Sequence, residues 1–274
     1  MLFRSALLKE VRAAGVPFFR SPERALRAVA RLAAWGSAAS PSISAVTAPR
    51  INIGKRGPIA EYRCKEILAR FGVPIPKGRL ATSLAEAHVI AKEIGFPVAL
   101  KAQADALAHK SDVGGVVIGV ADDAALDAAE ARMSAAVRRS APQIALEGLL
   151  VEAMAPKGGL EMIVGARRDP QWGPVILFGL GGVWTEALKD ARLLPADSGR
   201  DDILRELARL KGAALLRGMR GAAPRDVSAF ADIVEKVGAL MRENPEIADI
   251  DLNPVNVYAE GEGALALDAL FVLS

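Results

Sequence analysis

The strongest constraint on the fold lies at residues 97–120, where two short apolar runs enclose a polar loop. Residues 98–100 and 116–120 are aliphatic or β-branched, and Pro97 and a pair of glycines bound them, as is typical of strands. The loop between them holds lysine, histidine, serine and aspartate side chains. We therefore expect two neighbouring strands whose polar connection could form part of a binding site.

This connection has the composition of a phosphate-binding loop. Gly114 and Gly115 let the backbone approach a ligand closely, and successive free N–H groups in such a turn form an anion-binding concavity. Lys101 and Lys110 add mobile positive charges suited to phosphates. The loop follows neither the Walker A pattern nor G-x-G-x-x-G. By its residues alone it is either a phosphate cradle or a plain polar hairpin tip.

Composition argues against several classes of protein. A chain of 274 residues with 51% hydrophobic residues can bury one large domain or two small ones. The net charge is only +3, the basic residues are scattered and aromatic residues make up 5%, which argues against a nucleic-acid-binding face. No apolar run is long enough to span a bilayer and the basic start does not have the pattern of a secretory signal, so we expect a cytoplasmic protein that is not bound to a membrane.

The single cysteine and one of the two histidines fit structural roles. Because Cys64 is the one cysteine of the sequence, the chain can form neither an internal disulfide nor a metal site built from cysteines. Cys64 falls on the apolar side of a predicted helix, where we expect a small core residue. His88 lies within another predicted helix, and we expect an ordinary histidine on the helix surface there.

The start of the chain predicts a helix–strand–helix element followed by a linker. Residues 1–35 predict a helix, a short strand at 16–19 and a second helix, with Ser21 as the N-cap and Pro22 in the first turn. Residues 36–49 are rich in Ser, Ala and Pro without periodicity, and we predict a linker over 36–57. The buried stripe of the second helix is expected to consist of Leu26, Val29 and Ala33.

The remaining residues, 58–274, predict one α+β domain. Helices are expected over 58–71, 83–94, 122–139, 202–216 and 226–241, the second of them opened by a capping box of Ser83 and Glu86. Further strands are expected over 148–154, 160–168, 174–180, 247–257 and 265–272. This order of helices and antiparallel hairpins favours α+β layers over a repeated βαβ sheet.

Two further groups of residues suggest a ligand site. Glu152 and Glu161 stand in or beside hydrophobic strands, where a carboxylate is costly unless it is paired or bound to a ligand. Gly181 and Gly182 follow another strand and give the domain a second glycine-rich strand end. A structural salt bridge is the alternative for the two carboxylates.

The last two predicted strands carry oxygen ligands. Asp251 and Asn253 are two residues apart, so both side chains project from one face of a strand, and Pro254 is expected to end the hydrogen-bonding ladder directly after them. Asp268 lies centrally in the next apolar strand. If these strands pair, Asn253 and Asp268 could converge and bind Mg²⁺, which takes one or two protein oxygens together with water and phosphate oxygens. The alternative for Asp268 is a buried structural acid.

Taken in order, these motifs resemble the ATP-grasp domain of the NDP-forming acyl-CoA synthetases, relatives of succinyl-CoA synthetase that include the ADP-forming acetate–CoA ligases. The resemblance runs from about residue 58 to residue 273, and its most specific part is His-Lys-Ser-Asp-Val-Gly-Gly-Val at 109–116. Other matching positions are Lys65, Lys101, Glu152, Glu161, Gly165, the Asp-Pro-x-x-Gly-Pro turn at 169–174, the glycines at 179–182, Asp190, Arg220, Gly221, Asp-Leu-Asn-Pro at 251–254, and Asp268.

The resemblance implies an ATP-grasp fold in which ATP or ADP lies between two α+β subdomains, at about 75–150 and 151–274. The positions that it assigns to the nucleotide are Lys65, Lys101, Lys110, Gly114, Gly115, Glu152, Glu161, Gly181 and Gly182. Asn253 and Asp268 are the implied ligands of Mg²⁺.

Two catalytic residues are also implied by the resemblance. His109 looks like the histidine that receives a phosphoryl group, and Asp251 matches a carboxylate that orients a phosphohistidine. A neutral imidazole is a nucleophile near pH 7, and Mg²⁺ and lysines offset the charge of the transition state. The implied reaction converts a carboxylate, CoA and ATP into acyl-CoA, ADP and phosphate, in either direction.

The resemblance further implies a partner. Residues 1–35 resemble the tail of a flavodoxin-like ligase domain, whereas the CoA-binding domain, the acyl site and a second histidine of the family have no counterpart in the sequence. We therefore expect half of an enzyme, acting with a CoA-binding, acyl-transferring subunit or domain in a hetero- or homo-oligomer. The alternatives are a carboxylate–amine ligase that uses an acyl phosphate and no histidine, and a non-catalytic nucleotide-binding fragment.

Overall fold

The chain divides into two compact units, Met1–Pro41 and Ser42–Ser274, which we call unit 1 and unit 2. The computed structural model describes residues 6–19, 21–36, 41–52, 54–107, 110–182, 190–219 and 221–274. Within these ranges no helix is both long and apolar enough to cross a membrane.

Unit 1 contains two short helices, α1 (Ala6–Ala13) and α2 (Pro22–Gly36). The predicted N-cap of α2 is confirmed, because the Ser21 hydroxyl accepts a hydrogen bond from the N–H of Arg24 at 3.4 Å. Pro22 occupies the first helical position, where its missing N–H costs no hydrogen bond.

Two predictions for unit 1 are wrong. Residues 16–19 are irregular, because the described part of this unit offers no strand with which they could pair. The stripe of α2 that was expected to be buried is exposed, with Leu26 at 69% and Val29 at 61%, and Ala33 is exposed as well.

Unit 2 holds two antiparallel sheets and six described helices. Its described strands are β1 (Gly57–Ile59), β2 (Gly78–Ala81), β3 (Val98–Gln103), β4 (Val116–Val120), β5 (Gly148–Ala153), β6 (Leu160–Asp169), β7 (Gly173–Leu180), β8 (Ala191–Pro195), β9 (Ile247–Val257), β10 (Ala264–Ala266) and β11 (Leu270–Leu273). The helices are α3 (Glu61–Arg70), α4 (Leu84–Ile94), α5 (Asp123–Ser140), α6 (Arg200–Leu207), α7 (Ala213–Leu216) and α8 (Val227–Glu243). This mixture confirms the predicted α+β class.

Seven strands form the larger sheet, in the order β1-β11-β9-β6-β7-β8 with β10 beside β9. Helix α8 packs against β6, β7 and β9. Phe230 of α8 meets Phe178 of β7 edge to face at 6.4 Å between ring centroids, and both rings are buried. Ile250 and Leu252 of β9 are buried in this core, so the intervening Asp251 projects from the opposite face of the strand.

The smaller sheet has the order β2-β5-β3-β4 and a core of its own. Helix α4 packs against β2 and β5, and α5 packs against β3 and β4. The capping serine predicted for α4 is confirmed, since the Ser83 hydroxyl accepts a hydrogen bond from the N–H of Glu86 at 3.2 Å. The Glu86 carboxylate accepts in turn from the N–H of Thr82 at 2.8 Å, one residue before the position that a capping box requires.

Two predicted helices have different bounds in the structure. The first begins only at Glu61, because residues just before it pair with β11 as the short strand β1. The helix predicted over 202–216 is divided into α6 and α7. Between them, the Asp190 carboxylate accepts hydrogen bonds from the N–H groups of Lys211 and Gly212, at 2.9 and 2.7 Å, which interrupts the helical pattern.

Candidate active site

Three lysines from separate elements converge inside unit 2. Lys65 comes from α3, Lys101 from β3 and Lys110 from the connection between β3 and β4. All three are buried, at 3%, 8% and 5% exposure. The sequence-based expectation that Lys101 and Lys110 are mobile charges is therefore wrong, because carboxylates hold both ammonium groups inside the protein.

Glu61 and Glu152 neutralise much of this positive charge. The Oε1 atom of Glu61 lies 2.7 Å from Lys65 and 2.6 Å from Lys101, and its Oε2 atom lies 2.9 Å from Lys110. Glu152, from β5, lies 2.5 Å from Lys65 and 3.0 Å from Lys101. Glu152 is thus a paired buried carboxylate, the condition under which such a group is tolerated.

Residues 267–269 complete this charge cluster from the larger sheet. The carbonyl of Leu267 accepts hydrogen bonds from Lys65 and Lys101 at 2.8 and 2.6 Å. The Asp268 carboxylate lies 2.8 Å from Lys110. Because these groups turn towards the lysines, the strand predicted over 265–272 is interrupted, and Asp268 lies between β10 and β11 rather than within a strand.

The surroundings of Glu61 keep it ionised. Burial alone raises the pKa of a carboxyl, but the positive charges of Lys65, Lys101 and Lys110 outweigh it and hold the pKa of Glu61 well below its usual range. Burial likewise lowers the pKa of Lys101, yet the facing carboxylates, led by Glu61, raise it above the ordinary value. Glu61 and Lys101 are therefore charged partners, and removing one of them leaves the other charge buried with less compensation.

A cavity of about 220 Å³ opens beside the charge cluster. Asp251 and Asn253 are exposed on the same face of β9, as the strand period predicts. The cavity brings Asn253 and Asp268 together with the end of Lys110. Its lining residues are Lys110, Ser111, Asp112, Asp251, Asn253, Asp268 and Leu270.

The donor set of this cavity suits Mg²⁺ only when another ligand contributes oxygens. Among the described residues, no group of three or more His, Cys, Asp or Glu side chains is placed to hold a metal ion. Asn253 and Asp268 offer an amide and a carboxylate oxygen. Mg²⁺ usually takes one or two protein oxygens and completes its shell with water and phosphate.

The glycine pair shapes the turn that carries Lys110. The N–H of Gly115 donates to the carbonyl of Lys110 at 2.7 Å, and that of Gly114 donates to the carbonyl of Ser111 at 3.2 Å. These two N–H groups are engaged within the turn, so the expected concavity of free N–H groups is not found at this pair. A Cβ at Gly115 would lie 2.8 Å from the carbonyl oxygen of Lys110, which explains the need for glycine there.

Other predicted site residues lie apart from the charge cluster. Glu161 is exposed at the start of β6, and no contact described for it reaches the three lysines. Gly181 donates its N–H to the carbonyl of Glu161 at 2.8 Å, and a Cβ at Gly182 would lie 2.3 Å from a carboxylate oxygen of Glu161. The structure therefore groups Glu161 with Gly181 and Gly182, where β6 begins and β7 ends. His109 lies outside the described residues.

The strand predicted over 247–257 is confirmed, but the expectation that Pro254 ends its hydrogen-bonding ladder is wrong. The strand continues to Val257, and Pro254 sits where two residues of β9 face one residue of β6, between the pairs Val164–Leu252 and Met162–Val255. A proline is tolerated in such a bulge because no ladder hydrogen bond is required of it.

Glu61 was not foreseen as a site residue. Its sequence signal is the spacing from Lys65, four positions further along α3, beside the apolar residues Cys64 and Leu68. An i,i+4 pair of opposite charges next to a buried stripe is compatible with a buried ion pair, but it occurs on exposed helix surfaces too.

The comparisons with known proteins agree with this architecture. Residues 52–273 match the ATP-grasp domain family, and the chain belongs to that family. The β subunit of acetate–CoA ligase [ADP-forming] I of Pyrococcus furiosus is 39% identical over 216 residues, which cover 79% of this chain and 92% of the subunit. The chain is accordingly a member of the ADP-forming acetate–CoA ligase family, similar to its β subunits.

A second relative is longer than this chain. A trans-feruloyl-CoA synthase from an unknown prokaryotic organism is 43% identical over 265 residues, which are 96% of this chain but 37% of the synthase. The chain thus spans little more than a third of that relative.

Solved structures of one synthetase match most of this chain. The dinucleotide-forming acetyl-coenzyme A synthetase 1 of Ca. Korarchaeum cryptofilum, solved with coenzyme A and Ca-AMPCP, gives a TM-score of 0.76 at 38% identity and covers 81% of this chain and 95% of that chain. The same synthetase with coenzyme A and Mg-AMPPCP, its phosphohistidine segment pointing towards the nucleotide binding site, gives a TM-score of 0.66 at 34% identity and covers 78% and 92%. These matches confirm the predicted ATP-grasp fold.

Proposed function

We propose that this chain is the ATP-binding, phosphoryl-transferring half of an acyl-CoA synthetase that forms ADP and phosphate from ATP. The reaction joins a carboxylate to CoA at the expense of ATP and runs in either direction. The observation that carries the proposal is the convergence of Lys65, Lys101 and Lys110 beside a cavity lined by Asp251, Asn253 and Asp268. Cations next to oxygen ligands are the requirements of a magnesium–nucleotide phosphate site.

The nucleotide phosphates are bound at the cavity beside Lys110, and Asn253 and Asp268 hold Mg²⁺ there. When bound, Mg²⁺ neutralises charge on the phosphates. Lys110 would supply positive charge to the phosphate oxygens, and Asp268, which lies 2.8 Å from Lys110, would supply a carboxylate oxygen to Mg²⁺. Lys65, Lys101 and Glu152 form the buried wall of the nucleotide site.

His109 is the phosphoryl acceptor in this proposal. A neutral ring nitrogen attacks the γ-phosphorus of ATP, the bond from that phosphorus to the bridging oxygen breaks, and ADP leaves as the N–P bond forms. Asp251, which lines the same cavity as Lys110, accepts a hydrogen bond from the N–H of the other ring nitrogen of a phosphohistidine and so fixes the orientation of the ring.

A partner then completes the reaction. We infer a separate subunit or domain that binds CoA and transfers the acyl group. Two findings support it: the Pyrococcus furiosus relative is named a β subunit, and the trans-feruloyl-CoA synthase is much longer than this chain. The cytoplasm, where ATP and CoA are available, is the proposed location.

Transfer of label from γ-labelled ATP with Mg²⁺ tests the proposal. We expect acid-labile label on the purified chain and its absence in His109→Gln, because phosphohistidine is hydrolysed in acid. His88→Gln is the matched control, since His88 is the other of the two histidines and belongs to the contact between α4 and α5. Unchanged labelling of the His109→Gln variant would contradict the proposed acceptor and favour a ligase that uses an acyl phosphate.

A further inference from the structure

Glu61 is the carboxylate of the charge cluster that contacts all three lysines. Its two oxygens lie within 2.6 to 2.9 Å of the ammonium groups of Lys65, Lys101 and Lys110. Glu152 reaches only Lys65 and Lys101, and Asp268 reaches only Lys110. Glu61 is 4% exposed, so solvent does not compete for these contacts.

These contacts join three parts of unit 2. Lys65 belongs to the same helix as Glu61, Lys101 to the central strand β3 of the smaller sheet, and Lys110 to the connection that follows β3. The backbone of Lys110 is held separately, because its carbonyl accepts the N–H of Gly115 at 2.7 Å. Glu61 and Asp268 contact the ammonium group of Lys110, so both its backbone and the end of its side chain are held.

Nucleotide affinity does not explain a carboxylate at this place. Three lysines face three carboxylates, Glu61, Glu152 and Asp268, so the cluster carries no net charge when all six groups are ionised. A negative charge opposite phosphate-binding lysines weakens their attraction for an anion. The contribution of Glu61 is therefore geometric. Its charge weakens the attraction of the lysines for phosphate, but its oxygens hold the three ammonium groups in place.

We propose that Glu61 is a positioning residue for phosphoryl transfer, which fixes the ammonium group of Lys110 at the cavity wall. The expected slowing of phosphoryl transfer rests on the proposed function. The expected placement of Lys110 rests on the ion pairs alone. Misplacing a reacting group by about 1 Å costs on the order of 100-fold in rate. Loss of Glu61 should accordingly slow transfer far more than it weakens nucleotide binding.

The test compares Glu61→Gln and Glu61→Asp with Glu66→Gln in the full chain. Gln keeps the shape without the charge, and Asp keeps the charge but retracts it from the lysines. Glu66 lies on the same helix and is exposed, which makes it the matched control. Three quantities are measured: MgATP affinity by calorimetry, the rate of phosphoryl transfer from γ-labelled ATP by rapid quench, and deuterium exchange at the amides of residues 110–115.

For Glu61→Gln we expect transfer slowed roughly 30- to 100-fold, MgATP affinity within about threefold of the wild type, and faster exchange at residues 110–115. Glu61→Asp should give values between those of the wild type and Glu61→Gln. Glu66→Gln should match the wild type in all three measurements. Should Glu61→Gln fail to fold, the charge-retaining Glu61→Asp variant carries the test, with the same direction expected.

Either of two results overturns the inference. One is wild-type transfer and exchange in a folded Glu61 variant. The other is an equal loss of affinity and transfer with unchanged exchange at residues 110–115, which is the signature of a general structural defect. A wild-type chain that binds MgATP but transfers nothing contradicts the proposed function instead, and the exchange data then decide separately whether Glu61 orders Lys110.

Discussion

A thiol buried in an apolar core cannot ionise readily, and Cys64 is such a thiol. It is 0% exposed, its Sγ atom lies 3.6 Å from the carbonyl oxygen of Ile59, and burial raises its pKa to about 12. We expect no reaction with a thiol reagent at pH 8 in native buffer and one thiol per chain in denaturant. Rapid stoichiometric labelling without denaturant would contradict the buried position of Cys64.

At the residue scale, patterns along one element were predictable and long-range pairings were not. The common face of Asp251 and Asn253 follows from the period of a strand. The role of Glu61 does not follow from its i,i+4 spacing to Lys65 alone, because its other partner Lys101 lies 40 residues further along the chain. The exposure of Glu161 was not predicted either. Apolar neighbours along a strand do not show on which face of the sheet a given side chain lies.

At the scale of elements, helices α4 and α5 are joined through one histidine. The Nδ1 atom of His88 lies 2.6 Å from the carboxylate of Asp123, and Nε2 lies 2.8 Å from that of Asp127. An ionised carboxylate can only accept a hydrogen bond, so this arrangement favours the imidazolium, which carries a proton on both nitrogens. The hydrogen bonds to Asp123 and Asp127 raise the pKa of His88 above its ordinary value.

This bridge predicts a stability that depends on pH. Because the pKa is raised in the folded protein, the stabilisation is complete below the ordinary histidine pKa of about 6.5 and is lost as the pH rises through the raised value. We expect His88→Gln to be less stable than the wild type at pH 6, with the difference fading as the pH rises through the raised pKa of His88, as measured by denaturant unfolding. The Glu66→Gln variant should show no such trend. A difference that stays constant up to pH 9 would show that His88 acts through packing alone.

Interruptions of helices and strands were the part of the fold that the sequence could not predict. The separation of β10 from β11 depends on Leu267, whose carbonyl accepts hydrogen bonds from two distant lysines instead of a neighbouring strand. The separation of α6 from α7 depends on Asp190, which binds backbone N–H groups between them. Both interruptions fall in runs whose hydrophobic pattern continues, so the local signal is that of one unbroken element.

At the scale of the whole molecule, residues 42–52 act as a strap across unit 2. Asn244, at the end of α8, is fully buried, and its Oδ1 atom accepts the N–H of Ile51 at 2.7 Å. Its amide nitrogen donates to the carbonyl of Pro49 at 3.2 Å, and Arg242 donates to the carbonyl of Val46 at 2.6 Å. The composition of this segment is that of a linker, yet its backbone groups supply partners to buried side chains.

Two truncations separate the strap from unit 1. A chain that starts at Ser42 keeps both hydrophobic cores and every contact of the strap named above, so it should unfold cooperatively at a temperature close to that of the full chain. A chain that starts at Gly57 leaves the buried Oδ1 of Asn244 without its donor and uncovers the apolar surface under Ile51. An orphaned buried acceptor costs about 1–3 kcal/mol, and the lost packing adds to that.

The truncation at Gly57 should therefore lower the melting temperature by roughly 5–10 °C, given about 2–4 °C per kcal/mol for a domain of this size. Asn244→Ala in the full chain should reproduce part of the loss, because it removes the same acceptor while the segment stays in place. Differential scanning calorimetry of the full chain, the two truncations and Asn244→Ala provides the measurement. Equal melting temperatures for the Ser42 and Gly57 truncations would mean that residues 42–52 contribute no stability and that α8 is held by its contacts with the larger sheet alone. A large loss already in the Ser42 truncation would instead show that unit 1 stabilises the remainder of the chain.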